Sequence, residues 1–460
     1  MALAVRDRLA RLLQSRTLRT LVVVGVLGVV CKGAALGREL VVAAHFGASD
    51  ALDAFLVAVI LPTILNNVVG NVLAISLLPQ LLRVRHDEGP AAEVAAQQRA
   101  VFWSIVLLTC AGVGFALSGP MVLPLLSPGF SASSRALVVK LLWLSTPFGV
   151  ISGTTRIYAV LAESEGRFAA TSISPLLTAI VSVLLLVGCG ASPEVLVAGL
   201  TLGGCAELAL NVAAVNRTRY GVIPRPGRPG RFESTLVAVA WPLSLGAFLQ
   251  GLTVTVDQSM ASLAGPGAVS ELSYGLRFIA VAIGLIGMPL LQYAFPQFAK
   301  LAAARQFGEL RVQFRKYTLL ALAVSVPPMI VLSGASHWVV ETTFQRGRFS
   351  AETADRVALI QSLSALQLPF VIVAMLGLRA VFALKLRHVM LCQGGAMVLA
   401  NLWLDWVLLK WLGVPGIALA TSILQLGSCL FMLVVVEGAI RRGIREEQGM
   451  VGTAETRRAA

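Results

Sequence analysis

The chain has 460 residues, 57% of them hydrophobic and 13% charged, with a mean hydropathy of +0.82. A soluble domain carries about 25% charged residues, so this composition leaves little room for one and describes a polytopic membrane protein. The net charge of +14 resides in short loops between apolar segments, which is the positive-inside arrangement and excludes a nucleic-acid-binding patch.

A spanning helix needs about 20 mostly apolar residues. Twelve segments meet that demand: 20–44, 52–82, 100–126, 136–161, 168–189, 194–215, 235–263, 269–299, 317–335, 357–384, 388–410 and 413–438. Residues 1–19 form a basic arm, and the apolar run after it has no small-residue cleavage site, so the first helix is expected to remain as an anchor. The first two spans meet at Phe46-Gly47-Ala48-Ser49. Segment 216–234, with Arg217, Arg219, Arg225, Arg228 and Arg231 among prolines and glycines, reads as a linker between an N-lobe over 20–215 and a C-lobe over 235–438. Residues 439–460 form a tail.

The lysines and arginines set the orientation. They concentrate in the arm, in 83–99, in the linker, in 300–316 and in the tail, whereas the opposite loops hold Arg135, Lys140, Arg346, Arg348, Arg356 and Lys410. This asymmetry places both termini in the cytoplasm.

An internal repeat is visible. A shift of 217 residues lays Leu78-Pro79-Gln80 on Phe295-Pro296-Gln297 and Gly70 on Gly287. A second echo pairs Pro147-Phe148 with Pro369-Phe370, each followed by an arginine within a span, Arg156 and Arg379. The fold expected is therefore all-α, with about twelve transmembrane helices in two six-helix lobes. An even number of spans per lobe keeps both in one orientation, so the pseudo-two-fold axis lies along the membrane normal. Two such lobes around a polar cavity describe an alternating-access transporter.

Ionisable residues are costly in hydrocarbon and mark functional paths. Lys32, Arg38 and Glu39 lie in the first span and Arg277 in the eighth. Cations drawn from both halves suit an anionic ligand, and arginine suits phosphate through its bidentate fork. The alternative is snorkelling to an interface, or pairing with Glu39 or Asp257. Lys32 and Arg38 are six residues apart, 240° around a helix, so they share a face only if the helix bends, for which Gly33 and Gly37 are placed. Arg156 and Arg379 are further candidates for the cavity. Asp53, Asn66 and Asn67 in the second span and Asp257 in the seventh form the polar set. Asp257 either pairs with an arginine or takes a coupling proton or sodium ion, and Glu207 and Asp405 are further acids within spans. No Walker motif, metal-ligand spacing or catalytic constellation is present, so the chain reads as a transporter without a cofactor, driven by membrane potential, H+ or Na+, and not as an enzyme. The cysteines, at 31, 110, 189, 205, 392 and 429, read as small membrane residues.

Lys32-Gly33-Ala34-Ala35-Leu36-Gly37-Arg38-Glu39, Phe46-Gly47-Ala48-Ser49, Asp53-Ala54-Phe55 and Leu61-Pro62 resemble the opening signature of the MurJ/MviN-type lipid II flippases, within the multidrug/oligosaccharidyl-lipid/polysaccharide exporter superfamily. Ser127-Pro128-Gly129-Phe130, Gly166-Arg167-Phe168, Tyr274-Gly275-Leu276-Arg277 and Phe344-Gln345-Arg346-Gly347-Arg348-Phe349 extend the resemblance over about 20–440. It implies a central cationic cavity in which Lys32, Arg38, Glu39 and Arg277 hold the pyrophosphate of an undecaprenyl-linked glycan moved from the cytoplasmic to the periplasmic leaflet of the bacterial inner membrane. The chain would act as a monomer in the bilayer, beside cell-envelope biosynthesis proteins. Departures from the family pattern are Lys32 for arginine, Asn66-Asn67 for basic residues, Leu276 and Ala280 for acids, and twelve spans where fourteen are usual. The alternatives are an exporter of an exopolysaccharide or O-antigen-type repeat unit, and a drug or cation antiporter.

Overall fold

In a computed structural model, the described backbone covers residues 16–384 and 386–459. Residues 1–15 of the expected basic arm and Lys385 lie outside it. Every regular element among the described residues is helical. This follows from the apolar composition, because a backbone in hydrocarbon must satisfy its hydrogen bonds within the segment.

Helix α1 is Arg16–Phe46. The second span is a composite of α2 (Asp50–Ala58), α3 (Ile60–Leu65), a π-turn (Asn66–Gly70) and α4 (Asn71–Glu88). Then follow α5 (Pro90–Leu126), α6 (Ala132–Ser164), α7 (Phe168–Cys189), α8 (Pro193–Val215) and α9 (Arg231–Ser262). The eighth span is again composite: α10 (Ala268–Gly275), α11 (Arg277–Ala282), a π-turn (Ile283–Gly287) and α12 (Met288–Ala303). The remaining helices are α13 (Phe307–Gly334), α14 (Ser336–Phe344), α15 (Ala351–Ala365), α16 (Leu368–Ala383), α17 (Arg387–Leu412) and α18 (Val414–Ala459). Helices occupy all twelve expected spans. By length and apolarity ten of those described can cross a membrane, or eleven with the pair α15 and α16 counted as one.

Local chemistry sets the ends. Gly47, with φ 58, turns the chain between α1 and α2, a left-handed conformation that glycine adopts without a Cβ penalty. Ser131 and Ser350 cap α6 and α15 by accepting from the Ser134 and Thr353 amides, each at 3.2 Å.

The repeat is built into the backbone. The second span breaks at Val59 and the eighth at Leu276, while the π-turns begin at Asn66 and Ile283 and end at Gly70 and Gly287. Each pair is separated by 217 residues, the shift read from the sequence. The second echo is not geometrically equivalent. Pro147 lies inside the unbroken α6, whereas Pro369 begins α16 after a bend of 43° from α15. The span expected over 357–384 is therefore a bent pair. Proline lacks the amide that would continue the helical ladder.

The chain divides into two compact units, the first ending at Gly251 and the second beginning at Leu252. The dividing point lies within α9. Each unit has its own core. In the first, Leu77, Leu81, Val101, Ile157 and Leu161 are buried together; in the second, Phe298, Phe314, Leu376, Val381 and Val436. Small residues permit close helix packing where lipid removes the hydrophobic drive between helices. Gly149 and Gly153 on α6 bring it against the second span, so that a Cβ on Gly70 would meet the Gly153 Cα at 2.6 Å. Gly199 and Gly203 on α8 meet α7 in the same way, with Cβ positions 2.8 Å from the Ser182 Cα and 2.6 Å from the Thr178 Cα.

The segment after α8 is bound to the first unit along its length. Gln97 donates to the Gly221 carbonyl and accepts from its amide, both at 3.1 Å. Tyr158 Oη donates to the Val222 carbonyl at 2.7 Å and Trp103 Nε1 to the Gly227 carbonyl at 2.9 Å. Arg219 pairs with buried Glu93 at 3.1 Å and with Glu165 at 2.8 Å. Arg99 pairs with Glu233, at the start of α9, at 3.1 Å.

Candidate functional site

Helix α1 runs unbroken through Gly33 and Gly37, so Lys32 and Arg38 stay on different sides of it. Lys32 is exposed and has no ion-pair partner among the described residues. Arg38 is half-buried and donates from Nη2 to Glu39 Oε1 at 2.5 Å, while Glu39 is buried. The adjacent acid thus balances part of the arginine's charge. Helix α1 packs against α7, where the Cys31 thiol donates to the Ser172 carbonyl at 3.1 Å.

The other candidates of the first unit separate into three places. Asp53 is completely buried in the first turn of α2. Asn66 and Asn67 open the π-turn, and beside it the structure adds a residue not singled out in the sequence, Asn71. Its amide donates to Asn67 Oδ1 at 3.1 Å, and its Oδ1 accepts from Arg156 Nε at 2.8 Å. The spacing of four between Asn67 and Asn71 is the available signal, since such residues share a helix face. Glu207 on α8 accepts from Ser174 at 3.3 Å and Thr178 at 2.9 Å on α7.

In the second unit, Arg277 begins α11, immediately after the break at Leu276. It is half-buried, with Nη2 3.4 Å from Ser273 Oγ. Just before the break, Tyr274 packs on Phe344 and Phe349, with ring centroids 5.3 and 5.4 Å away. The aromatic ends of the loop motif Phe344–Phe349 therefore clamp that loop onto the helix that precedes Arg277. Arg379 stacks its guanidinium over Phe295, 5.7 Å from the ring centroid.

Among the described residues Asp257 does not pair with an arginine. It is buried on α9, where Oδ1 accepts from Asn401 Nδ2 at 2.9 Å and Oδ2 from Thr421 Oγ1 at 3.3 Å. The same Asn401 amide donates to Asp405 Oδ2 at 3.1 Å. Asn401 and Asp405 are both fully buried, and among the described residues Asn401 Oδ1 and Asp405 Oδ1 have no hydrogen-bond partner. Two carboxyl groups thus share one amide group, with side-chain oxygens left unsatisfied between α9, α17 and α18. Two carboxylates in such a setting need a proton or a cation to offset their charge. The i, i+4 spacing of Asn401 and Asp405 within an apolar span signals one polar face. Thr421 gives no such signal.

A membrane protein of two helical units, with composite second and eighth spans and polar clusters buried in its spans, is a transporter by architecture. Solved structures share the fold. A lipid II flippase MurJ in an inward closed conformation matches with a TM-score of 0.77 at 18% identity, covering 92% of this chain and 90% of that one. An inward-facing multidrug resistance MATE family transporter of the MOP superfamily matches with a TM-score of 0.74 at 12% identity, covering 92% and 99%. The family model described as lipid II flippase MurJ matches residues 42–453. The chain belongs to the lipid II flippase MurJ family, a family of transporters and not of enzymes. A "probable lipid II flippase MurJ" from Synechocystis sp. is 24% identical over 430 residues, covering 87% of this chain and 77% of that protein. The lipid II flippase MurJ of Burkholderia cenocepacia is 22% identical over 431 residues, covering 89% and 81%. The bacterial family and the run of apolar helices make this a multi-pass inner-membrane protein.

Proposed function

We propose that this protein moves lipid II, an undecaprenyl-pyrophosphate-linked glycan, from the cytoplasmic to the periplasmic leaflet by alternating access. The observation that carries this reading is the family match over 42–453, which runs through both units. In this mechanism Lys32, Arg38 and Arg277 hold the pyrophosphate, and Glu39 limits the net charge so that the head group can also leave. Arginine's planar fork suits phosphate oxygens. Both termini face the cytoplasm, as the basic residues of the linker and of 300–316 favour.

The drive is assigned to the second unit. Asp257, Asn401, Asp405 and Thr421 offer carboxylate, carboxamide and hydroxyl oxygens with no cationic side chain among their hydrogen-bond partners, a donor set suited to a hard monovalent cation or a proton. Binding there offsets buried negative charge, so occupancy can bias the packing of α9 against α17 and α18 and couple an ion gradient to the conformational cycle.

Complementation tests the reading. In cells depleted of their own lipid II flippase, the wild-type chain should restore growth and the Arg38→Ala, Arg277→Ala double variant should not, at equal membrane abundance. Rescue by both would remove the anion site. Rescue by neither would point to another lipid-linked glycan.

A further inference from the structure

The two units carry the same π-turn at the same place but fill it differently. In the first, the turn and the residue after it read Asn66-Asn67-Val68-Val69-Gly70-Asn71; in the second, Ile283-Gly284-Leu285-Ile286-Gly287-Met288. The second unit forms this turn without one polar side chain, so its geometry does not require three asparagines. Carboxamides within a membrane span are costly unless they are used.

The first unit uses two of them to hold a cation. Asn71 is fixed through its amide to Asn67 Oδ1 at 3.1 Å and presents its own Oδ1 to Arg156 Nε at 2.8 Å. The approach of Gly70 to Gly153 places Asn71, one residue past the turn, beside Arg156, three residues along α6. One of the guanidinium's five donors is thereby engaged and its plane is fixed, while both Nη groups have no protein partner among the described residues. Arg156 is exposed. The nearby carboxylate, Glu207, is held by Ser174 and Thr178 and makes no ion pair with it within 4.0 Å. Asn66 Oδ1, at the start of the turn, is buried without a hydrogen-bond partner among the described residues. An arginine anchored at Nε, with both Nη groups available, is set for bidentate capture of a phosphoryl group.

We propose that Arg156 binds a phosphoryl group of the transported lipid in the first unit, and that Asn71, backed by Asn67, is its positioning residue. This inference rests on the flippase reading. The phosphoryl chemistry is shared by the pyrophosphate of an undecaprenyl lipid and the head group of a phospholipid, and we assign the former.

The test uses the full-length protein in phosphatidylcholine nanodiscs, with binding of undecaprenyl pyrophosphate measured by native mass spectrometry. Asn71→Met, which installs the residue of the other unit, should weaken binding about tenfold, the low end for losing a hydrogen bond to a charged group. Arg156→Gln should weaken it at least as much, and the double variant no further. Arg156→Lys keeps the charge without the Nε anchor, so it should bind weakly and be indifferent to Asn71→Met. Thermal unfolding of every variant is recorded alongside, so that a folding defect is separated from a binding one. Additive effects, or binding equal to wild type in the Asn71 and Arg156 variants while Arg38→Ala, Arg277→Ala loses it, would overturn this proposal and leave the flippase reading standing. Absence of binding by the wild type would overturn both. Competition by phosphatidylglycerol at equimolar phosphate would reassign the site to a phospholipid head group and refute it as stated.

Discussion

Asp257, Asn401 and Asp405 show what single residues reveal and what they conceal. Asp257 stands out because a carboxylate deep in an apolar span is costly. Whether it meets an arginine or a second acid depends on how three helices rotate against one another, and no residue type encodes that. The answer is a second acid, with one carboxamide bonded to both. We therefore expect the protein's melting temperature to rise with added Na+ at constant ionic strength, or on acidification. The expected gain is about 2.7 kcal/mol at a ligand concentration 100 times the dissociation constant. Asp405→Asn should abolish that response. A melting temperature indifferent to Na+ and to pH in the wild type would argue against an ion site. Arg38 and Glu39 were legible as a pair because they are neighbours, and the ion pair at 2.5 Å follows from that adjacency. Asn71 was missed because its spacing of four from Asn67 marks a shared helix face but gives no hint of a partner 85 positions away.

At the scale of elements, the apolar spans were legible because about 20 residues are needed to cross hydrocarbon. Their breaks were not. Val59 and Leu276 are ordinary aliphatic residues, and nothing in their side chains announces a break. Prolines are frequent in membrane helices, and Pro147 and Pro369 show that the same dipeptide can sit in an unbroken helix or at a bend of 43°. Gly70→Ala would drive a Cβ to 2.6 Å from the Gly153 Cα, so it should destabilise the first unit by about 1–3 kcal/mol, as overpacking does. Gly33→Ala meets nothing within 4 Å and should leave stability unchanged or raise it by up to about 1 kcal/mol, since alanine is the better helix former. Equal melting temperatures for the two variants would contradict the close contact. The segment after α8 read as a linker from its prolines and arginines, yet it is strapped to the first unit. Arg219→Ala strands the buried Glu93 carboxylate beside a single remaining arginine, Arg85, at 3.7 Å. It should cost about 1–3 kcal/mol and speed proteolytic cleavage at 217–230. Unchanged cleavage would mean that the strap does not depend on this pair.

For the molecule as a whole, the repeat read at a shift of 217 residues reappears as paired breaks and paired π-turns, so the duplication is a property of the backbone and not only of apolar composition. The polar content of the two halves differs: an asparagine relay and Arg156 in the first, a shared-acid cluster in the second. The family resemblance was carried by short motifs, and the structure gives several a physical task, as when Phe344 and Phe349 clasp Tyr274 ahead of Arg277. The transport claim is tested most directly in proteoliposomes, by following the loss of fluorescently labelled lipid II from the leaflet reached by an impermeant quencher, under imposed Na+ and proton gradients. We expect gradient-dependent transfer by the wild-type chain, reduced about 100-fold or more in the Arg38→Ala, Arg277→Ala variant, because two charge-assisted contacts are lost. Equal transfer by both, or none by correctly folded wild-type protein, would contradict it.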